Sequence, residues 1–500
     1  MAALGAASSA LAPAAEPEAR EVAKFKHLYG TGSKKDLTFF NLTPNVNASM
    51  EANLVAASKD FWAVPWTGGG GPVYVSSHEA FGKVEPQSIP VVNGHKAPVL
   101  SLAFSPGDGL LATGSDDQHV CLWRIPEGGL SSSLSAEDAV ADLRGHAYGV
   151  RALAWHPTAP ILASAAGSEE MLLWDVEAQQ ACGRVPVEAE GISSLSFNYE
   201  GSLVAVASRG IAARICDPRA GAPVSASPHE PSTRGQRVVW CTNFGGNSSL
   251  LSVDIASGGR GRRISLWDPR NLAKPALQSK VDTATGVLFP VYDEGTGTVL
   301  LSGRGDTTIR VYELGSNCSS LTHCSDTPIT GEPMAGIAKL PTQSCNVREV
   351  ETAKVLRLAQ TSVQPITFVL PRSEQLKEFF QDDIFPQARA AAFAQSAADW
   401  LGGGDPPPVR EELRPEGMPL LSEKPPEPKR TSNSEILKAK IDTEKAEDDQ
   451  RRSVMERMQA MAAQRSQYHP NSSMGAKKGV DATPIYDSDD GGWSDEDEDE

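Results

Sequence analysis

His95, Thr113 and Asp117 combine a histidine, a hydroxyl and a carboxylate at close spacing, followed by Trp123. Such a set can relay a proton. Here, however, the indole N–H needs an acceptor and a turn aspartate suits donors, so the four read as a brace that satisfies buried polar groups. His146 and Trp174 repeat the two ends of the set, with Ser168 at the aspartate position. The nine histidines show no metal-ligand spacing. Neither a Gly-x-Ser-x-Gly nor a cysteine–histidine motif occurs. The run Gly68 to Gly71 lacks the lysine and hydroxyl of a phosphate loop and reads as a hairpin turn. The cysteines at 121, 182, 216, 241, 318, 324 and 345 are odd in number and widely spaced. They read as buried or incidental thiols in a reducing compartment. No catalytic residue, metal or cofactor is expected, and no enzyme.

The elements that hold such a brace are repeats. His95 to Trp123 and His146 to Trp174 both span 28 residues. Phe104 to Trp123, Trp155 to Trp174 and Phe197 to Cys216 each span 19. Two looser copies run from Trp240 to Trp267, with the excess assigned to the loop IASGGRGR, and from Phe289 to Tyr312. Each unit carries short alternating strands punctuated by Gly, Asp, Asn or Pro, the pattern of a four-stranded blade. A lone blade would leave a face and its edges bare, so the blades must stack into a closed ring. The expected fold is all-β, a propeller of WD repeats in which Trp267, like Trp123 and Trp174, closes a blade.

The 500 residues carry a formal charge of -17, which argues against nucleic-acid binding. No apolar run approaches the ~18 residues of a membrane span. Residues 1–23 are alanine-rich and read as a disordered, untargeted extension. Residues 402–431 read as a proline-rich linker and 432–466 as a helix. A heptad on Leu437, Ile441, Met455, Met458 and Ala462 has Glu444, Asp448 and Arg451 at its middle core positions, a poor coiled coil. These residues leave the oligomeric state open.

Three stretches suit a macromolecular partner. Lys24, Lys26, Lys34 and Lys35 cluster before the repeats, and Arg260, Arg262 and Arg263 fall in the apparent loop insertion. The tail 467–500 ends in DSDDGGWSDEDEDE (487–500), where nine of fourteen residues are acidic. Trp493 offers an anchor while carboxylates such as Asp489, Asp490, Asp495, Glu496 and Asp497 steer it toward a basic surface. Ser488 and Ser494 precede acids and are candidate phosphorylation sites.

The stretches KFKHLYG (24–30), GSDDQHVCLWRIPEGGL (114–130), LWDPRNL (266–272), LFPVYDEGTGTV (288–299), GRGDTTIRVYE (303–313) and FQDDIFP (380–386) resemble the coronins, over roughly residues 24 to 425. The resemblance implies seven blades over 24–350 and an extension over 351–401 packed back on the ring. It implies binding to filamentous actin and to the actin-related-protein complex that nucleates branched filaments, in the cytoplasm. The basic residues would serve the filament, and the acidic tail the nucleation complex. Many coronins carry an arginine where this chain has Thr43, which weakens that part of the filament site. Short coronins also end in a clear coiled coil, unlike this one. Trp267-Asp268-Pro269-Arg270 also fits the short box of substrate adaptors for cullin-type ubiquitin ligases, the alternative reading.

Overall fold

The computed structural model describes residues 23–423 and 433–466, apart from residues 108, 189–190, 231–233, 243–247, 260 and 316–317. The chain divides after Lys424 into two compact units. The first is a seven-bladed β-propeller.

Blades 2 to 6 are the five repeats legible in the sequence. Blade 2 comprises Val99–Phe104, Leu110–Ser115, His119–Arg124 and Ala141–Arg144. Blade 3 comprises Val150–Trp155, Ile161–Ala166, Glu170–Asp175 and Gln180–Pro186. Blade 4 runs from Ser194–Phe197 to Ala222–Ala226, blade 5 from Arg234–Thr242 to Leu277–Asp282, and blade 6 from Leu288–Asp293 to Leu321–Pro328. Second strands such as Leu110–Ser115 and Ile161–Ala166 are buried at every residue. Each lies between two neighbouring blades, so both of its faces are covered. The core is consequently a series of inter-blade layers. Trp123 packs with Ala63, Val73 and Val75 of blade 1, whereas Leu110 and Leu122 on the other face meet Val150, Leu172 and Trp174 of blade 3.

Two blades escape the repeat spacing. Blade 1 opens on the two-residue strand Ala56–Ala57 and continues through Phe61–Pro65, Val73–Ser77 and Val91–Asn93. Blade 7 joins both ends of the ring. Gly336–Lys339, Glu351–Leu358 and Ser362–Val369 come from the C-terminal side. Tyr29–Gly32 and Phe39–Phe40 come from the N-terminal side and pair antiparallel with Ser362–Val369, placing Tyr29 opposite Val369 and Phe39 opposite Val363. Closure therefore rests on backbone pairing between residues more than three hundred positions apart.

The ring ends at Val369, beyond the boundary of 350 expected from sequence, because the last two strands of blade 7 follow it. From residue 370 to 423 the chain forms a strap, longer than the expected 351–401, because residues 402–423 stay packed where a linker was expected. Phe380, Ile384, Phe385 and Met418 enter the core beside blades 6 and 7, and Ala397 and Trp400 enter it beside blades 3 and 4. The described residues of the second unit form the helix Asn433–Ser466. Among the described residues, no helix is long and apolar enough to cross a membrane.

Candidate functional site

The brace in blade 2 is complete. His95 Nδ1 lies 3.0 Å from Asp117 Oδ2 and its Nε2 2.7 Å from Thr113 Oγ1, while Trp123 Nε1 donates to the same hydroxyl at 2.9 Å. Burial opposes the charge of Asp117, but the His95 ring and the Lys96 backbone N–H hold its carboxyl well below the usual carboxylate range. Blade 3 keeps half of this arrangement. His146 Nε2 meets Ser164 Oγ at 2.6 Å and Trp174 Nε1 donates to that hydroxyl at 2.7 Å, but His146 Nδ1 is buried without a partner. Ser168 supplies no carboxylate, and burial pushes the ring down to about 4. In blade 5, Trp267 Nε1 donates to Ser252 Oγ at 2.8 Å. His95, Thr113, Trp123, His146, Ser164, Trp174, Ser252 and Trp267 are buried within their blades.

The glycine run joins two antiparallel strands of blade 1, as a hairpin should. A Cβ on Gly71 would lie 2.2 Å from the Ala97 carbonyl oxygen, and one on Gly70, which has φ +80°, would lie 2.6 Å from the His95 carbonyl oxygen. Glycine is needed because this loop rests against the next blade's backbone. All seven cysteines are free thiols. Burial raises those of Cys121, Cys324 and Cys345 to about 12, far from a reactive thiolate. Among the described residues no group of three His, Cys, Asp or Glu could hold a metal ion.

The two faces of the ring differ. The strap crosses the face made of loops between first and second strands, here called the lower face. Its Ala394 and Gln395 backbone N–H groups donate to the Thr158 carbonyl, at 2.9 and 3.1 Å. Arg389 and Arg410 stack on Tyr199, 5.3 and 5.2 Å from the ring centre, and Arg389 pairs with Glu294 at 2.9 Å. Arg219 pairs with Asp405 at 2.7 Å. Trp400, completely buried, packs 4.8 Å from the His156 ring. That ring donates from Nε2 to the Gly201 carbonyl at 3.0 Å and accepts at Nδ1 from the N–H groups of Thr158 and Ala159. Burial pushes it down to about 4. A cavity of about 1540 Å³ opens on this face, with the Lys339–Asp293 ion pair (2.8 Å) on its wall.

The upper face, made of loops between second and third strands and between blades, exposes Thr43, Lys96, Arg209 and, at the starts of inner strands, Arg151 and Arg234. These arginines form no charge run, because none has a basic residue beside it in sequence. Their signal is positional: they recur near strand starts in blades 3 and 5 and in a turn of blade 4.

The basic residues singled out from sequence fare unequally. Lys26, Lys34 and Lys35 are exposed near or on the edge of blade 7, and Lys35 Nζ lies 5.8 Å from the Phe40 ring centre. Lys24 is exposed too, but its Nζ donates to the Asp383 carbonyl. Arg262 is no loop residue. It opens the third strand of blade 5, Arg262–Trp267, is 1% exposed, and pairs with Asp282 and with Asp306 at 2.9 Å. Arg310 completes this inter-blade network at 2.8 Å from Asp282. Arg263, in the same strand, is held by Asp254 at 2.8 Å and Glu230 at 2.7 Å. The supposed insertion misled because the extra residues lengthen the second strand to Ser248–Ile255 and extend the sheet over both arginines. Arg262 is thereby withdrawn from the partner-facing candidates. Arg260 and the tail residues Ser488, Asp489, Asp490, Trp493, Ser494, Asp495, Glu496 and Asp497 lie outside the described residues.

Residues 20–83 match a family described as "Domain of unknown function (DUF1899)", residues 86–124 and 138–175 the "WD domain, G-beta repeat", and residues 363–408 a "Type of WD40 repeat". Human Coronin-2A is 31% identical over 409 residues, covering 80% of this chain and 75% of that protein. The chain belongs to the coronin family. This coronin is 33% identical to the Coronin-like protein crn1 of Schizosaccharomyces pombe over 77% of its own length and 63% of the relative's. It is 33% identical to Coronin-7 of Rattus norvegicus over 85% of its own length, but spans 46% of that protein. The crystal structure of the WD40 domain of Toxoplasma gondii coronin superposes with a TM-score of 0.70 at 24% identity, covering 78% of this coronin and 98% of that chain, which supports the same propeller fold.

Proposed function

We propose that this coronin is a non-enzymatic regulator of the actin cytoskeleton in the cytoplasm, binding filamentous actin through the upper face of its propeller. The observation that carries the reading is the asymmetry of the ring. The strap occupies the lower face, while the upper face keeps Arg151, Arg209 and Arg234 exposed around the starts of inner strands. Actin filaments are acidic, so separated arginines on one face suit them despite the chain's negative total. Lys26, Lys34 and Lys35 extend the basic surface toward the edge of blade 7. The acidic tail, with Trp493 as anchor, engages the actin-related-protein nucleation complex; its support is the residue pattern. Two weak sites on one chain raise each other's effective concentration.

Filament co-sedimentation tests the first part. Replacing Arg151, Arg209 and Arg234 together by Glu is expected to weaken binding by roughly tenfold or more, and Thr43→Arg to strengthen it. Unchanged pelleting of the triple variant would remove the upper face from the proposal. A truncation ending at Tyr486 tests the second part, with loss of the nucleation complex and retention of filaments expected in pull-downs.

A further inference from the structure

Aromatic residues of the first strands converge at one place. Trp155, Phe197, Trp240 and Tyr292 stand at or near the lower ends of the first strands of blades 3 to 6. With Tyr199, from the loop that follows in blade 4, they wall a cavity of about 300 Å³ at the lower mouth of the ring. That is the lower end of the ~300–1,000 Å³ typical of small-ligand sites. All but Trp240 are only part-buried, whereas Trp123 and Trp174, which close blades, are fully enclosed. Two of the rings are tied across a blade boundary: Trp155 Nε1 donates to the Ala103 carbonyl and the Tyr292 hydroxyl to the Thr242 carbonyl, both at 3.0 Å. With those donors spent on backbone, the rings offer the cavity carbon and π-electron density.

The strap shows which chemistry this wall takes. Its Arg389 borders the cavity, stacks on Tyr199 and pairs with Glu294, so one cation already rests against a ring and a carboxylate there. Among the described residues, no cation lies over Trp155, Phe197, Trp240 or Tyr292. A primary ammonium seated among these four would bring three N–H donors, each needing an acceptor once buried. A quaternary ammonium brings none. Its methyl groups pack on the rings while its charge is drawn by their π faces. Arg389 repels such a guest, and Glu294, 2.9 Å from Arg389, offsets that repulsion.

Trp155 and Tyr292 border both this cavity and the larger one of about 1540 Å³, so the two adjoin. The strap lines the larger cavity with Ala388, Ala390, Ala391 and Ala392, small side chains that leave width for an extended backbone. A bilayer headgroup would have to reach past the strap, whereas a peptide can lie along it. We propose that the lower mouth of the ring is an aromatic cage for a quaternary ammonium, and that its ligand is a trimethylated lysine on a partner's peptide. The site lies on the face opposite the filament surface and does not depend on it.

The test is titration calorimetry of the full chain with short alanine-rich peptides whose central residue is trimethyllysine, lysine or the uncharged carbon isostere of trimethyllysine. The first should bind roughly tenfold tighter than either of the others. Equal affinity for the isostere, equal affinity for lysine, or no binding of the trimethyllysine peptide would each overturn the proposal. So would binding of phosphatidylcholine vesicles in preference to that peptide. Trp155→Leu should abolish the preference and Tyr292→Phe, which keeps the ring, should retain it; a folded Trp155→Leu protein with the preference intact overturns the cage. Near-ultraviolet circular dichroism checks the fold, and should Trp155→Leu fail to fold, the peptide comparison on the native chain still decides. Arg389→Met should raise the trimethyllysine affinity several-fold by leaving Glu294 to the guest, and a lowered affinity counts against the proposal. The R151E/R209E/R234E chain should bind the peptide as the native chain does, so the filament reading and this one can fail separately.

Discussion

His95 and His146 hold the same place in adjacent blades and differ in one partner. His95 has Asp117, whereas the Nδ1 of His146 faces no acceptor. His156 is held neutral by burial as His146 is, and two backbone N–H groups also point at its Nδ1, leaving no room for a second proton. Both rings are pushed to about 4 in the folded protein, against about 6.5 unfolded. Between those values the unfolded chain binds protons that the folded chain refuses. Stability from these rings is thus complete above pH 6.5 and is lost as pH falls toward 4, by roughly 3 kcal/mol each at most. Asp117 acts lower on the scale: its depressed carboxyl stabilises the fold above its unfolded value and fails only in stronger acid. Urea midpoints measured from pH 7.5 to 4 should fall accordingly. Ser168→Asp, which restores the blade 2 partner, should raise the His146 titration point, stabilise the fold by about 1 kcal/mol and flatten that pH profile. An unchanged His146 titration by NMR would show that the new carboxylate does not reach the ring.

At the scale of elements, the brace was legible because its two ends, a histidine and a tryptophan, recur at one spacing. The role of Arg262 was not, since "RGRR" in a glycine-rich stretch looks identical whether it is a loop or the start of a strand. Only its pairing with Asp282 and Asp306, twenty and forty-four residues away, reveals the difference. Arg262→Met should leave Asp282 and Asp306, both part-buried, sharing Arg310 alone, and cost about 3 kcal/mol. Arg263→Met should cost less, because Arg263 is partly exposed; denaturant unfolding of the two variants compares them. The strap was half legible. Its existence followed from the family resemblance, but its length did not, because the prolines of 402–423 resemble a linker until Met418 and Leu420 are seen packed beside Phe380. Trp400→Ala should cost about 3–5 kcal/mol and open the strap to limited proteolysis while the blades remain resistant.

For the whole molecule, five blades could be counted from sequence and two could not. Blade 1 opens on Ala56–Ala57, without the first-strand aromatic of blades 2 to 6, and blade 7 is assembled from segments at opposite ends of the ring, which no periodicity can join. The N-terminal strands supply that blade's outer pairing. Removing residues 1–40 should therefore abolish the single cooperative thermal transition and expose apolar surface, read as dye binding; a sharp melt in the truncated protein would mean that the ring closes without them.

Chain order along the strap also sets an order of mechanical failure. Tension applied from the C-terminal side reaches residues 418–421 first, where the Phe380 N–H donates to the Pro419 carbonyl and the Leu421 N–H to the Phe380 carbonyl. Trp400 is pulled next, and the blades last. The strap is in this sense a fuse: a coronin strained between two attachments would peel its lower face before its ring tore, and on release the detached segment would still be tethered beside its own binding groove.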